Sequence, residues 1–394
     1  MSSKDKTIGV IGSGAMGAGI AQVAATAGHK VIVYDNNAAA LAKAKSAMWA
    51  LLDKLAEKQK IKPEAAAEIK TNISFEEDLV HFKDCTLVIE AIVENLEVKQ
   101  KVFAQLENIV SSGCVLASNT SSLSIASIAS ACTNTSRVVG IHFFNPAAVM
   151  PLVEIIPAIT TAAAVAQQSK AWVESWGKIC VMAKDTPGFI VNRVARSFYG
   201  ESIRMYEEGI ADIATIDWAL KQFGGFKMGP FELMDFIGND VNFKVTESVW
   251  EQFFFDPRFK PSLTQKRLYE AKLFGRKSGR GYYDYAESAI KPEPLKDAAL
   301  GKMIFDRVIA MLMNEAIDSV YLRLATKEDI DLAMTLGVNY PKGLLRWADE
   351  IGLDHVLNTM SSLYELYGEE RYRPCLLLKH MGKEKQKFYT QQMA

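Results

Sequence analysis

Residues 7–35 leave little freedom to a chain that carries them. Thr7-Ile-Gly-Val-Ile11 is a short apolar run, Gly12-Ser13-Gly14-Ala15-Met16-Gly17 follows at once, and Ala18 to Ala27 reads as a helix of small residues. This is a G-x-G-x-x-G pattern in the setting it needs, with a strand before it and a helix after. Gly12 permits the tight turn, Gly14 lets a pyrophosphate approach the backbone, and Gly17 lets helix and strand pack closely. The anion then sits on the helix N-terminus, against the backbone of the turn that includes Ala15 and Met16. The next strand, Lys30 to Tyr34, ends in Asp35, where such a fold places the acid for the ribose hydroxyls. A carboxylate there repels a 2′-phosphate, and Asn36-Asn37 bring no arginine to reverse that preference. NAD rather than NADP is therefore the expected cofactor. The alternative is a glycine turn in an unrelated α/β protein.

Strand and helix patterns continue to alternate. Ala38 to Lys60 is a long helix pattern with lysines at 43, 45, 54, 58 and 60, which form either a solvated face or a collector of ligand phosphates. Leu87 to Glu94 reads as a buried strand ending in two acids, Glu90 and Glu94. A helix from Leu96 to Val110 carries Lys99, and Val115 to Ser118 runs into the hydroxyl-rich Asn-Thr-Ser121-Ser122. Ser121 and Ser122 either face a ligand or cap the Leu123–Ala131 segment. Val138 to Phe144 is an apolar run that delivers His142 near its end. Asn145-Pro146 breaks it, and a second apolar run carries Glu154. A histidine and a carboxylate so placed can form a general base, the carboxylate fixing the tautomer; otherwise they are a core histidine and an ordinary strand glutamate. Ligands of open α/β sheets bind beyond the carboxyl ends of the strands, so Glu94, Ser121 and His142 are expected at one crevice.

After Lys184-Asp-Thr-Pro-Gly188 the pattern turns helical, and a duplication is visible. Arg193 and Arg307 stand 114 residues apart, and the same offset links Glu201 to Glu315, Asp217 to Asp331, Gly229 to Gly343, Asp235 to Asp349 and Gly238 to Gly352. Ala286–Lys296, with Pro292 and Pro294, joins the copies. Asn192 of the first becomes Asp306 in the second, so the first copy is expected to serve the site and the second to be structural. The expected fold class is an α/β N-terminal Rossmann-like dinucleotide-binding domain (1–184), then an all-α region of two tandem related helical domains (185–290 and 297–394).

The 394 residues suffice for this, and a formal net charge of −1 supplies no basic field for nucleic acid or a membrane surface. Five scattered cysteines and five scattered histidines show no disulfide or metal spacing and fit a reducing cytoplasm; no metal is expected. The first six residues lead straight into a strand pattern, so no signal peptide is expected.

Taken together, Gly12-x-Gly14-x-Met16-Gly17-x-Gly19, Glu90-Ala-Ile-Val-Glu94-Asn95, Ser118-Asn-Thr-Ser-Ser122, His142-Phe-Phe-Asn145-Pro146, Asp185-Thr-Pro-Gly-Phe-Ile-Val-Asn192-Arg193, Met228-Gly-Pro-Phe-Glu-Leu-Met-Asp235 and Gly275-Arg-Lys277-Ser-Gly279 resemble the 3-hydroxyacyl-CoA dehydrogenase family. The resemblance runs from about residue 6 to 285, and the repeat extends it to about 380. The doubled helical region most resembles the bacterial branch that includes 3-hydroxyadipyl-CoA dehydrogenases. The resemblance implies NAD-dependent oxidation of a (3S)-3-hydroxyacyl-CoA, read first as a 3-hydroxybutyryl type, with 3-hydroxyadipyl-CoA as the alternative. More distant alternatives are a sugar-acid dehydrogenase and a non-catalytic NAD-binding structural protein. It further implies His142 as base with Glu154 as its partner, and Ser121 and Asn192 on the substrate 3-oxygen. Asp35, Glu94, Lys99, Ser121, Asn145 and Lys277 would contact NAD. Lys54 and Lys58 would lie against coenzyme A, with Leu51 where some members have serine. An acyl-CoA thioester is the expected partner molecule. Single-copy members pair through their helical domains, so the chain is expected to be a homodimer, or a monomer if its second copy replaces the partner.

Overall fold

The computed structural model describes residues 6–389. The expectation about the leader rests largely on residues 1–5, which lie outside the described residues. The chain divides into two compact units, 1–186 and 187–394.

The first unit is an eight-stranded sheet with helices between its strands. In chain order it contains β1 (Thr7–Ile11), α1 (Ala15–Thr26), β2 (Lys30–Tyr34), α2 (Ala38–Glu57), α3 (Pro63–Asn72), β3 (Ile73–Glu76), β4 (Leu87–Glu90), α4 (Leu96–Ile109), β5 (Val115–Ser118), α5 (Ile125–Ala129), β6 (Val138–Phe143), β7 (Leu152–Pro157), α6 (Ala163–Ser175) and β8 (Ile179–Met182). The strand order is β3-β2-β1-β4-β5-β6-β7-β8. Neighbours pair parallel except β6 with β7, which are antiparallel. The central strands are covered on both faces, which is why they read as continuous apolar runs rather than alternating ones. The chain leaves β1 for β2 on one side and returns to β4 on the other, so a crevice opens at the carboxyl ends of β1 and β4.

Several boundaries differ from expectation. The helix after the glycine turn begins at Ala15, three residues early, because the turn itself enters the helix with Gly14 as N-cap. The lysine-bearing helix ends at Glu57 rather than Lys60; Asn37 caps its start by accepting from Ala40 N–H, and Leu41, Met48 and Leu52 form its buried stripe. The strand expected over 87–94 stops at Glu90, whose buried carboxylate accepts the Ile92 N–H at 2.7 Å and turns the chain out of the sheet. Between Lys60 and Leu87 the sequence reading assigned nothing. The structure has α3, with Pro63 in its first turn, and the edge strand β3 there.

The second unit is helical: α7 (Val191–Val194), α8 (Arg196–Glu207), α9 (Ile213–Gly224), α10 (Pro230–Ile237), α11 (Asn239–Gln252), α12 (Leu263–Glu270), α13 (Ala298–Tyr321), α14 (Lys327–Gly337), α15 (Leu344–Ile351), α16 (Leu353–Tyr367) and α17 (Leu376–Lys383). The repeat recurs in its hydrogen bonds. Asp217 accepts from Phe231 N–H, Glu232 N–H and the Tyr283 hydroxyl; Asp331 accepts from Leu345 N–H, Arg346 N–H and the Tyr389 hydroxyl. Asp235 holds the Tyr282 and Tyr283 amides, and Asp349 holds those of Phe388 and Tyr389. The two copies are tied reciprocally: Arg193 Nε donates to Glu315 and Arg307 Nε to Glu201, each at 2.5 Å and each pair buried. No described helix is long and apolar enough to cross a membrane.

Candidate active site

His142 and Glu154 are cross-strand partners in the β6–β7 register, so their side chains emerge side by side on one face of the sheet. His142 Nδ1 and Glu154 Oε2 are 2.7 Å apart; His142 is 6 % exposed and Glu154 fully buried. A buried carboxylate facing Nδ1 selects the tautomer with the proton on that nitrogen and the basic lone pair on Nε2. The antiparallel β7 is what makes this possible. A parallel neighbour would need a long crossover, whereas the short turn after Phe143 brings a carboxylate back opposite the histidine.

The acids of the β4 end serve different purposes. Glu90 is fully buried and holds Lys99 Nζ at 2.6 Å and the Ser118 hydroxyl at 2.7 Å. Glu94 lies beyond the strand. Its Oε1 accepts the Thr120 hydroxyl at 2.6 Å, the Ser121 N–H at 3.0 Å, and the Ser122 N–H and hydroxyl at 3.1 and 3.0 Å; Oε2 is 3.3 Å from Lys99 Nζ. Burial would raise the Glu94 pKa, but the Lys99 ammonium and these donors outweigh it and hold the carboxyl below its ordinary value. Lys99, expected on the cofactor, is 1 % exposed, with its ammonium between the carboxylates of Glu90 and Glu94. Ser121 and Ser122 do not cap the following helix. Ser124 does, accepting from the Ser127 N–H, while Asp185 accepts from the Ile125 and Ala126 amides.

The three glycines of the turn meet different surroundings. Gly12 has φ +100°, and a Cβ there would come 2.5 Å from the Ala91 carbonyl oxygen. At Gly17 a Cβ would lie 1.9 Å from the Gly12 oxygen. At Gly14 it would meet nothing within 4 Å, so the protein itself does not require glycine there. Gly14 and Ala15 are exposed and Met16 half-buried, and α1 has no acidic residue in its first turn. Asp35 accepts the Ser13 N–H at 2.8 Å, the Ser13 hydroxyl at 2.7 Å and the Asn37 N–H at 3.0 Å. Burial opposes its ionisation, but these donors prevail and its pKa lies below the ordinary value. A carboxylate offers about four acceptor positions, so a ribose diol would share Asp35 with Ser13 or displace it. Ser13 and Thr120 were not singled out by sequence; the hydroxyl-rich run 118–122 signalled Thr120 alone. The donor set, the open Gly14 and the acid-free helix start fit a dinucleotide.

A cleft of about 670 Å³ adjoins the turn, lined by Gly14, Asp35, the α2 residues Lys43, Ala47 and Leu51, and Pro146 to Val149. Lys54, further along α2, and Lys58, just past its end, are exposed and do not line it. Asn145 is exposed in the loop after β6. In the second unit Asn192 is half-buried in α7, its carbonyl accepting from Arg196 Nε. Lys277 forms an ion pair with Asp240 at 2.6 Å, and Asp306, the counterpart of Asn192, pairs with Lys302 at 2.6 Å. Burial pushes the Cys85, Cys114 and Cys180 thiols up to about 12, which makes them inert as nucleophiles near neutrality.

The family model "3-hydroxyacyl-CoA dehydrogenase, NAD binding domain" matches residues 7–186, and "3-hydroxyacyl-CoA dehydrogenase, C-terminal domain" matches 188–285 and again 303–391. The 3-hydroxyadipyl-CoA dehydrogenase of Escherichia coli K12 is 38 % identical over 95 % of this chain and 97 % of its own length. Human mitochondrial hydroxyacyl-coenzyme A dehydrogenase is 42 % identical over 71 % of this chain and 91 % of its own. Among solved structures, a 3-hydroxybutyryl-CoA dehydrogenase from Escherichia coli K12 superposes with a TM-score of 0.92 at 36 % identity, covering 96 % of this chain and 98 % of that one.

Proposed function

Since the chain belongs to the 3-hydroxyacyl-CoA dehydrogenase family, an NAD-dependent oxidoreductase family acting on acyl-CoA, we propose that it oxidises a (3S)-3-hydroxyacyl-CoA at C3 with His142 as the base. The observation that carries this reading is the buried Nδ1–carboxylate contact of 2.7 Å between His142 and Glu154 at the carboxyl end of β6. His142 Nε2 takes the proton of the 3-hydroxyl, while Glu154 orients the ring and stabilises the imidazolium. A positioned base of this kind is worth about 10²–10⁴-fold in rate. Bound nicotinamide supplies the acceptor for the hydride that leaves C3. Ser121 and Asn192 donate hydrogen bonds to the 3-oxygen as it becomes a carbonyl, and donors placed beforehand lower the barrier without reorganisation. Glu94 holds the Ser121 turn, and Lys99 holds Glu94.

For the substrate, the full-length sequence relative is named for 3-hydroxyadipyl-CoA. The full-length structural relative is named for 3-hydroxybutyryl-CoA. We favour the six-carbon, acid-ended chain over the four-carbon one first expected, because the sequence relative named for it is 38 % identical across 95 % of this chain. The coenzyme A moiety would lie along α2, with Lys54 and Lys58 near its phosphates, and Asn145 and Lys277 would complete the NAD contacts. The domains are taken as 1–184, 185–290 and 297–394. Five unpaired cysteines support a reducing, cytoplasmic setting. Initial rates with NAD test the reading. Higher kcat/KM for 3-hydroxyadipyl-CoA than for 3-hydroxybutyryl-CoA is expected. A reversed order would return the substrate to the four-carbon type. Turnover of free hydroxy acids, or of no acyl-CoA at all, would overturn the reaction assignment.

A further inference from the structure

Buried and half-buried arginines in the second unit are heavily paired. Arg193 holds Glu315 and Asp318, Arg307 holds Glu201 and Glu208, and Arg258 holds Asp256, Glu315 and Asp318. Arg196 is the exception. It is buried, and its described contacts are neutral: Nε donates to the Asn192 carbonyl at 2.8 Å, and Nη1 donates to the Thr246 hydroxyl at 3.0 Å and the Asn242 carbonyl at 3.5 Å. Its guanidinium carbon lies 5.0 Å from the Tyr199 ring centroid. Among the described residues no carboxylate pairs with it. Burial pulls its pKa below the ordinary value, with only Tyr199 and Tyr340 opposing. Guanidinium stays charged in proteins, and a buried charge ordinarily has a counter-ion.

An unsatisfied donor belongs to the same cluster. Tyr340 is buried, and its hydroxyl has no hydrogen-bond partner among the described residues. Its ring packs 5.7 Å from Phe198, which lies 5.6 Å from the Tyr199 ring beneath Arg196. Buried polar groups left without partners are rare in folded proteins. Arg196 comes from the first helical copy and Tyr340 from the second.

We propose that Arg196, assisted by the Tyr340 hydroxyl, receives the terminal carboxylate of a dicarboxylic acyl chain and so selects an acid-ended substrate. This rests on the proposed substrate reading and on Asn192 at the 3-oxygen. Chain length fits. Arg196 stands four residues after Asn192, across the break at Ala195 between α7 and α8, and its Nε donates to the Asn192 carbonyl at 2.8 Å, so the two stand roughly 6 Å apart along the chain. From C3 of a six-carbon chain, three C–C bonds of about 1.5 Å and a hydrogen bond of about 3 Å cover that distance. A four-carbon chain ends two carbons short. Carboxylate and guanidinium also match as a two-pronged pair. The second helical copy thereby gains a direct part in specificity through Tyr340.

The test compares kcat/KM for 3-hydroxyadipyl-CoA with that for 3-hydroxyhexanoyl-CoA, equal in length and without the terminal charge. The wild-type ratio is expected to lie well above one. Arg196→Met is expected to lower that ratio by roughly 10- to 100-fold, the usual effect of losing a charged hydrogen bond. Tyr340→Phe, which deletes one oxygen that has no partner in this structure, is expected to lower it several-fold and keeps the test decisive if Arg196→Met does not fold. If the wild type prefers the acid-ended substrate and the variants keep its ratio, this inference alone is overturned. If the wild type prefers 3-hydroxyhexanoyl-CoA, the acid-ended reading falls and this inference falls with it.

Discussion

Gly14 and Gly17 stand three positions apart in one turn and answer to different demands. A methyl group at Gly17 would strike the Gly12 carbonyl, a clash of backbone against backbone, whereas one at Gly14 enters open space. Gly17→Ala is therefore expected to destabilise the first unit by about 1–3 kcal/mol as an overpacking change, read by thermal or urea unfolding. Gly14→Ala is expected to leave the unfolding curve in place and weaken NADH binding at least tenfold, because only a ligand needs that space; equal stability losses for both variants would contradict this. His142 is the other residue on which much rests. Under the proposed roles His142→Gln retains NADH affinity, measured by fluorescence titration, and loses about 10²–10⁴-fold in kcat. Near-normal turnover would move the base elsewhere.

Among elements, the turn after β5 is held from outside itself. Its residues Thr120, Ser121 and Ser122 all donate to Glu94 from the turn after β4, and Glu94 is in turn paired with Lys99 of α4. The Glu94 carboxyl has a folded pKa below its unfolded value of about 4.3. Its stabilisation is fully present above the unfolded value and is lost as pH falls through the lower folded value. Wild type should thus melt above Glu94→Gln near neutral pH, and the gap should close as pH drops below about 4. A gap that stays constant by calorimetry down to about pH 3 would remove Glu94 from this role.

Across the whole second unit, the duplication is a pair of copies that complete each other. Glu201 of the first copy is buried and depends on Arg307 and the Tyr372 hydroxyl of the second. Arg307→Met leaves that carboxylate without a charged partner and is expected to cost about 3–5 kcal/mol in urea unfolding, much of it recovered when Glu201→Met is added. A neutral single variant would mean that the two copies fold independently. The same reciprocity leads us to propose that the second copy takes the place a partner subunit would fill. Light scattering is expected to return the 43.6 kDa of one chain rather than twice that mass.

Local pattern was enough to read the nucleotide turn, the strands that end in Asp35 and His142, and the duplicated helical half, because each is written in short-range periodicity or in a fixed offset such as 193 to 307. It missed α3 and β3, where an edge strand of four residues carries too short an alternation to stand out. Sequence placed His142 and Glu154 on neighbouring runs, but only the antiparallel register made them direct partners. Nor could it tell that Lys99 is buried between Glu90 and Glu94, or that Arg196 lacks a carboxylate while Arg193 has two. The reason is physical: which chemistry a charged side chain performs depends on what faces it and how dry its surroundings are, and both are settled by residues distant in the chain.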